Sequence, residues 1–558
     1  MPADAALSAS TKRIRSHALI GQNGTGKSNL IEALINIFRT IDLEIEPPFE
    51  YTLEYEIRDR IVRIQADFNI LKTRATVWVD GKKENQSYLL RNRDLLPSHV
   101  FAYYSGRNER IEQLFQEHQR RFNMRQEITA DEVLPEHLLE NFTASDADIS
   151  AIEEAKRRRE AKLKQAGDDR LRRLFYCRGG HSQLVLLACL LSDDPVFQKV
   201  LNNLHIESLE SALFVLKEPH RLREKRRNRK FDEMEINEGD PRFWYARGNV
   251  VSEFLDKLWQ VSWAPIEQEA NKQIDFRGRS EKQKQLYLYV PTKDKLKELG
   301  ELVGGPDSFF RYAEGAYIGD LIDEVRITVK KRDEDGGKVS FTQLSEGELQ
   351  MLTVLGLMRI TREDHCLFLL DEPDTHLNPI WKLRLFEDVN EAMSISSGIT
   401  ENGEAQVLLT THDPILLGSL QREQVHILRK NGTHTIIVPP DEHPQGMGVT
   451  GLLKSELFGL SSTLDIETER RLFRRNELFV MSSRTLEEEA ELTRLSTELA
   501  DLGFSTADFR DPDYALFVRK MAQHRKFRKP VLTPEEQAEQ DRIADDIISE
   551  ILREEADE

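Results

Sequence analysis

Cysteine is scarce in this chain: Cys177, Cys189 and Cys366 are all it has, and no two stand at a metal-binding or small-framework spacing. A reduced, cytoplasmic compartment is therefore expected. Long apolar runs are missing too. A membrane-crossing helix needs ~20 such residues, and the best stretch, 183–192, reads instead as a short buried helix. The first residues, MPADAALSASTKRIR, contain no apolar h-region, so no secretion signal is expected. Positive charge is in deficit, with 78 Lys and Arg against 97 Asp and Glu and a formal net charge of −19. That balance argues against a protein that coats nucleic acid by electrostatics alone. Local basic stretches at 156–159, 221–230 (RLREKRRNRK) and 524–529 leave nucleic-acid contact open beside the plainer reading of solvated helix faces.

What is present is a charge-rich globular chain. Hydrophobic residues make up 39% and charged residues 31%, with a mean hydropathy of −0.53. Its 558 residues exceed what one core usually holds, so two or three structural units are expected. The division read from the pattern is 1–110, 111–315, 316–445 and 446–558. Residues 16–39 read as strand, loop and helix. Residues 51–90 alternate apolar and polar around an Asp80-Gly81 turn, as an antiparallel β-lobe would. From about 110 to 315 the pattern is mostly helical and charged. Prolines at 135, 195, 219, 241, 265, 291 and 306 break any sustained heptads, so a compact helical insertion is expected rather than a coiled coil. Short continuous apolar runs at 366–370 and 407–409 suit buried parallel strands, and a hairpin around Asn431-Gly432 follows. The last hundred residues read as helical, with an apolar stripe at Ile543, Ile547, Ile548, Ile551 and Leu552. The fold class expected is α/β.

Gly21-Gln-Asn-Gly-Thr-Gly-Lys27-Ser28 has the G-x-x-x-x-G-K-[ST] spacing of a phosphate loop between strand and helix. Glycines let backbone N–H groups curl around phosphates, and the helix N-terminus adds its positive end. Lys27 is then placed for the β- and γ-phosphates of ATP and the Ser28 hydroxyl for Mg²⁺. Cys366 to Glu372 is an apolar strand ending in two carboxylates. Asp371 is the candidate Mg²⁺ ligand, and Glu372 the candidate base that polarises the attacking water.

Two more motifs narrow the class. Leu344-Ser345-Glu346-Gly347-Glu348, just upstream of a helix expected to begin near Leu349, resembles the signature of ABC-type ATPases in the form found in the SMC, Rad50 and RecF branch. Thr410-Thr411-His412-Asp413 resembles the switch-histidine segment, and 374–379 (DTHLNP) resembles the D-loop. The resemblance covers roughly residues 10–110 and 315–440. It implies an ABC-type P-loop ATPase head with an antiparallel β-lobe, interrupted by a large helical insertion. It further implies that Gly21, Asn23, Gly24, Gly26, Lys27, Ser28 and Asn29 bind ATP, and that Ser345 and Gly347 clamp the nucleotide held by a second copy. His412 would sense the γ-phosphate. Two ATPs would then be sandwiched in a homodimer or higher oligomer. The sequence departs from the pattern in its short strand before the phosphate loop. No glutamine marks the expected Q-loop either; Tyr103 to Asn108 (YYSGRN) stands near that place.

The insertion and the lack of a membrane segment speak against a transporter subunit. The set GxNGxGKSN, YYSGRNER, LSEGE, DEPDTHLNP and THDP is similar to standalone ATPases of prokaryotic anti-phage defence, above all the Septu-system ATPase, which also occurs beside some retrons. That likeness implies an HNH-type nuclease or other effector as partner, with a retron reverse transcriptase and its DNA as a further candidate. A DNA-repair ATPase of the Rad50, SMC or RecF kind is the rival reading. No nuclease site of the chain's own is expected. Asp511-Pro-Asp513 has no apolar strand leading into it, and the R-x₄₋₆-H spacing of Arg519 and His524 recurs at Arg359 and His365.

Overall fold

A computed structural model of the chain describes residues 15–69, 75–106, 109–125, 173–219, 240–244, 249–273, 280–332, 337–361, 365–393, 405–460, 462–481, 483–504 and 534–556. The three basic stretches, Asp511 to Asp513, Arg519, His524, Arg107 and Asn108 lie outside them. The chain divides into two units, Met1–His17 with Ser28–Thr411 and Ala18–Lys27 with His412–Glu558. Strand β1 (Ser16–Ile20) begins in the first and ends in the second.

In the first unit, which α1 (Lys27–Leu43) enters at Ser28, this helix packs Ile31, Ile35 and Phe38 into one core with Val62, Ile64 and Val77 of the β-lobe. That lobe is the antiparallel sheet β2 (Tyr51–Ile57), β3 (Arg60–Ala66), β4 (Thr76–Val79) and β5 (Lys82–Asn85). The expected turn is there: Asp80 and Gly81 take φ of +49° and +79°, and positive φ at both positions makes a two-residue loop match the twist of its strands.

Among the described residues of the insertion, 111–315, expected to be mostly helical, strands stand beside the helices. Helices are present, among them α2 (His181–Leu191), whose residues Leu184 to Cys189 are fully buried as the apolar run implied. But β7 (Leu174–Tyr176), β8 (Ile206–Lys217), β9 (Trp263–Gln273) and β10 (Ser280–Val290) lie there too. The last three join β11 (Ile322–Lys331) and β12 (Lys338–Ser340) in a sheet of order β12-β11-β8-β10-β9. The physical reason is that helix propensity is a weak local preference which pairing overrides. WAPIEQEANKQ and SEKQKQLYLYV are rich in Glu, Gln, Lys and Ala, good helix formers, yet β9 pairs with β10 along nearly its whole length. As the sheet's edge, β9 is solvated and never shows the apolar alternation of a half-buried strand.

The ladder that positions the candidate site is parallel. β6 (Val100–Tyr104), β13 (Leu367–Asp371) and β14 (Gln406–Thr410) run side by side, with Tyr103 and Leu409 both opposite Leu370, and β7 adds to β6. Phe101 stacks on Phe175 at 5.5 Å and meets Phe368 at 5.6 Å, filling the covered face that a parallel sheet needs. Above it, α3 (Glu346–Ile360) lies hard against α2, for a β-carbon added at Gly356 would stand 2.3 Å from Val185 Cγ1. α4 (Pro379–Met393) follows β13. All three cysteines are buried and none is in a disulfide, and burial pushes the Cys177 and Cys189 thiols well above their ordinary range.

In the second unit, the end of β1 pairs in parallel with β15 (Val425–Asn431), which turns back antiparallel into β16 (His434–Val438). The hairpin read from Asn431-Gly432 is thus present. Helices α5 (Ile466–Val480) and α6 (Leu486–Asp501) pack together, each opened by a side-chain cap, Asp465 on Glu467 and Thr468, and Thr485 on Glu488. In α7 (Pro534–Ala556) Ile547 is buried and Ile543 half-buried, whereas Ile548 is exposed. The side chains of Ile551 and Leu552 lie outside the described residues. Among the described residues no helix is long and apolar enough to cross a membrane.

Candidate functional site: a phosphate loop and a carboxylate strand end

The phosphate loop leaves β1 at Gly21. Thr25 closes it on itself, its N–H and its Oγ1 both donating to the Gln22 carbonyl at 3.2 and 2.8 Å. Gly24 and Gly26 sit at φ of +80° and +95°, backbone that a side chain would strain. Lys27 is buried, and its Nζ donates to the carbonyls of Gly21 at 2.7 Å and Gln22 at 3.4 Å. Gln22, Asn23 and Gly24 are exposed at the tip. An exposed glycine-rich backbone beside an ammonium held by the loop's own carbonyls suits a polyphosphate. α1 starts at Lys27, so Ser28 and Asn29 stand in its first turn, and Asn29 accepts a bond from Arg110 at 3.5 Å.

The carboxylate end is built in the first unit. Asp371 closes β13 opposite Thr410, whose Oγ1 donates to Asp371 Oδ1 and accepts the Glu372 N–H at 3.0 Å. Asp371 is 2% exposed, yet its Oδ2 has no partner among the described residues, and neither has the buried Oγ of Ser105. The Ser105 N–H meanwhile donates to the Asp371 carbonyl at 3.1 Å. Buried polar atoms in proteins are nearly always paired, so a spare carboxylate oxygen here fits a hard cation. No cluster of three or more His, Cys, Asp or Glu that could hold a metal occurs among the described residues. Mg²⁺ suits such a site, because it is bound by one or two carboxylates with water and phosphate oxygens. Glu372 is half-buried at φ +50°, a left-handed conformation costly for a non-glycine residue and concentrated at functional sites.

The signature segment packs directly on this end. Ser345 caps α3 in a reciprocal box with Glu348, so the helix begins at Glu346, three residues before the position expected. Burial pushes the Glu348 carboxyl up, but bonds from Lys331 and Ser345 outweigh it and hold the group below its usual range. Gly347 faces the 374–378 loop so closely that a β-carbon would lie 2.5 Å from the His376 carbonyl oxygen. His376 Nδ1 lies 3.1 Å from Glu346 Oε2. Thr411 Oγ1 donates to Asp374 at 2.7 Å. His412 follows, exposed, in the second unit, and Asp413 caps the next short helix through Ile415 N–H.

Two residues with no assigned part in the sequence reading hold this end together. Thr410 was visible only as a member of the strand-end motif. Gln350 gave no signal, because a lone glutamine inside a mostly buried helix has no signature spacing. It is buried, accepts the His376 N–H at 2.9 Å, and donates to the Glu372 carbonyl at 3.4 Å. Gln350→Leu keeps the volume and removes both bonds. Turnover should fall roughly tenfold to a hundredfold, the scale of a displaced reacting group, with nucleotide affinity within about twofold of wild type. Steady-state hydrolysis beside a direct binding titration checks this.

A family model described as "AAA domain, putative AbiEii toxin, Type IV TA system" matches residues 16–139 and 205–418, more than half of the chain. The chain belongs to this family. With its phosphate loop and its Asp371-Glu372 strand end, this AAA-domain protein is a nucleotide-binding P-loop ATPase. Among solved structures it is similar to an SMC head domain from Thermotoga maritima, at 11% identity over 77% of this chain and 91% of that one, with a TM-score of 0.27. A Bacillus cereus protein related to NIF3 aligns at 11% identity over 61% of this chain and 89% of that one, with a TM-score of 0.11. Neither superposition is close enough to carry an argument. No curated protein matches the chain.

Proposed function

We propose that this AAA-domain protein is an ABC-type ATPase whose nucleotide state controls a partner effector, an HNH-type nuclease or similar, in cytoplasmic anti-phage defence. The carrying observation is the Asp371–Thr410–Glu372 knot, one carboxylate with a spare buried oxygen and the next in strained backbone. In this reading residues 1–110 and 316–445 make up the ATPase head. Gly21, Asn23, Gly24, Gly26, Lys27, Ser28 and Asn29 bind ATP, with Ser28 and Asp371 as ligands of Mg²⁺, whose charge would offset that of the phosphates. Glu372 orients and deprotonates the attacking water. His412 senses the terminal phosphate, and Ser345 with the Gly347 backbone reaches the nucleotide of a second copy. The strand-end and signature motifs favour that sandwich dimer, and the toxin–antitoxin wording of the family description favours a conflict system.

The test is purification with the genes encoded beside it. An effector subunit that stays bound in ATP and leaves when nucleotide is withdrawn supports the reading; recovery of the ATPase alone under both conditions sinks it. The basic run 221–230 favours a second reading, a Rad50- or SMC-like ATPase acting on DNA. Duplex DNA should then stimulate hydrolysis, and the regulator reading expects no such response.

A further inference from the structure

Three contacts inside the second unit tie the β15–β16 hairpin to the phosphate loop. A β-carbon at Gly21 would stand 2.6 Å from the Leu428 carbonyl oxygen, so β15 presses on the loop's first residue. Thr435 Oγ1 donates to the Thr25 carbonyl at 3.0 Å. Lys430, paired with Thr435 across the hairpin, brings its Nζ within 3.7 Å of the β-carbon position of Gly24. Lys430 is exposed and makes no ion pair among the described residues, and its neighbour Arg429 is engaged by Glu456.

We propose that the β15–β16 hairpin forms a wall of the phosphate site and that Lys430 supplies it with a second ammonium, directed at the phosphate chain of a nucleoside di- or triphosphate. This rests on the nucleotide-binding reading above. The argument is one of charge and position. A phosphate chain carries several negative charges, and Lys27 is a single cation held by the loop's own carbonyls. A further ammonium at the loop's exposed tip attracts such a ligand with a strength set by partial solvent screening. Thr435 and Leu428 fix the hairpin's place, so the cation stands beside the loop in a set register. Nothing in the phosphate-loop motif encodes it, because Lys430 lies some four hundred residues further along the chain.

The experiment is a calorimetric titration of the full chain with AMP, ADP and ATP at low salt, for wild type, Lys430→Ala, Lys430→Arg and Lys27→Ala. Lys430→Ala should bind ATP and ADP roughly threefold to tenfold more weakly, the scale of one partly exposed charge contact. AMP binding should be unchanged, Lys430→Arg should restore affinity, and the difference should shrink as salt rises. Wild-type affinity for ATP in Lys430→Ala overturns the inference, and so does an equal loss for AMP, which would mark a general disturbance of the loop. If wild type and Lys27→Ala alike bind no nucleotide, the underlying reading fails and this inference fails with it.

Discussion

Glu372→Gln should stop ATP turnover without releasing ATP, and with Mg-ATP the protein should accumulate in light scattering as a stable dimer or larger species. The amide fills the space of the carboxylate and keeps the backbone N–H bond to Thr410, so the strand end should keep its shape. What it cannot do is take a proton from water. Loss of a positioned general base costs about two to four orders of magnitude in rate, which leaves nucleotide in place long enough for assembly to be seen. Wild type should form the same species transiently and lose it as ATP is consumed. Unchanged mass in both proteins under all conditions would mean that ATP does not drive assembly, and a pre-formed complex with static nucleotide would replace the sandwich. Residual hydrolysis near the wild-type rate would remove Glu372 from the role of base.

Gly347→Ala should also slow hydrolysis, by a different route. The added carbon would stand 2.5 Å from the His376 carbonyl oxygen, a backbone atom that moves only if the 374–378 loop moves with it. That loop is held by the Gln350 bond to His376 and the Thr411 bond to Asp374. The methyl therefore acts as a wedge between signature helix and carboxylate end. Overpacking of this kind costs about 1–3 kcal/mol, a small part of the stability of so large a chain, so the protein should still fold. Hydrolysis should drop by at least roughly tenfold, since misplacing reacting groups by about 1 Å can cost a hundredfold. Circular dichroism with a turnover assay separates the outcomes: native spectrum and normal turnover would show that the contact relaxes harmlessly.

The sequence made some of this visible for identifiable reasons. The phosphate loop, the Asp371-Glu372 strand end and the Asp80-Gly81 turn are contiguous, and each depends on residue types with few substitutes. The buried α2 was legible because nothing but a core position suits ten successive residues with almost no charge. Strands β9 and β10 were not, since β9 at the sheet's edge and the opening half of β10 carry the same Glu, Gln and Lys that solvated helices do. The start of α3 was missed by three residues because the capping box lies within the signature motif itself. Gln350 and Lys430 were beyond reach in principle, for their meaning lies in which distant carbonyl or glycine they touch.

The burial of the three cysteines has a practical corollary. Buried thiols that, at Cys177 and Cys189, also have a suppressed thiolate form react slowly with maleimides and nitroxide reagents. A reporter cysteine placed on an exposed position, such as Asn23 at the loop tip or Thr375 beside the signature helix, would then be the one site labelled in the folded chain. Pairs of such labels would let fluorescence or spin–spin distances test whether two copies come together when ATP is added, on a background the native sequence leaves silent.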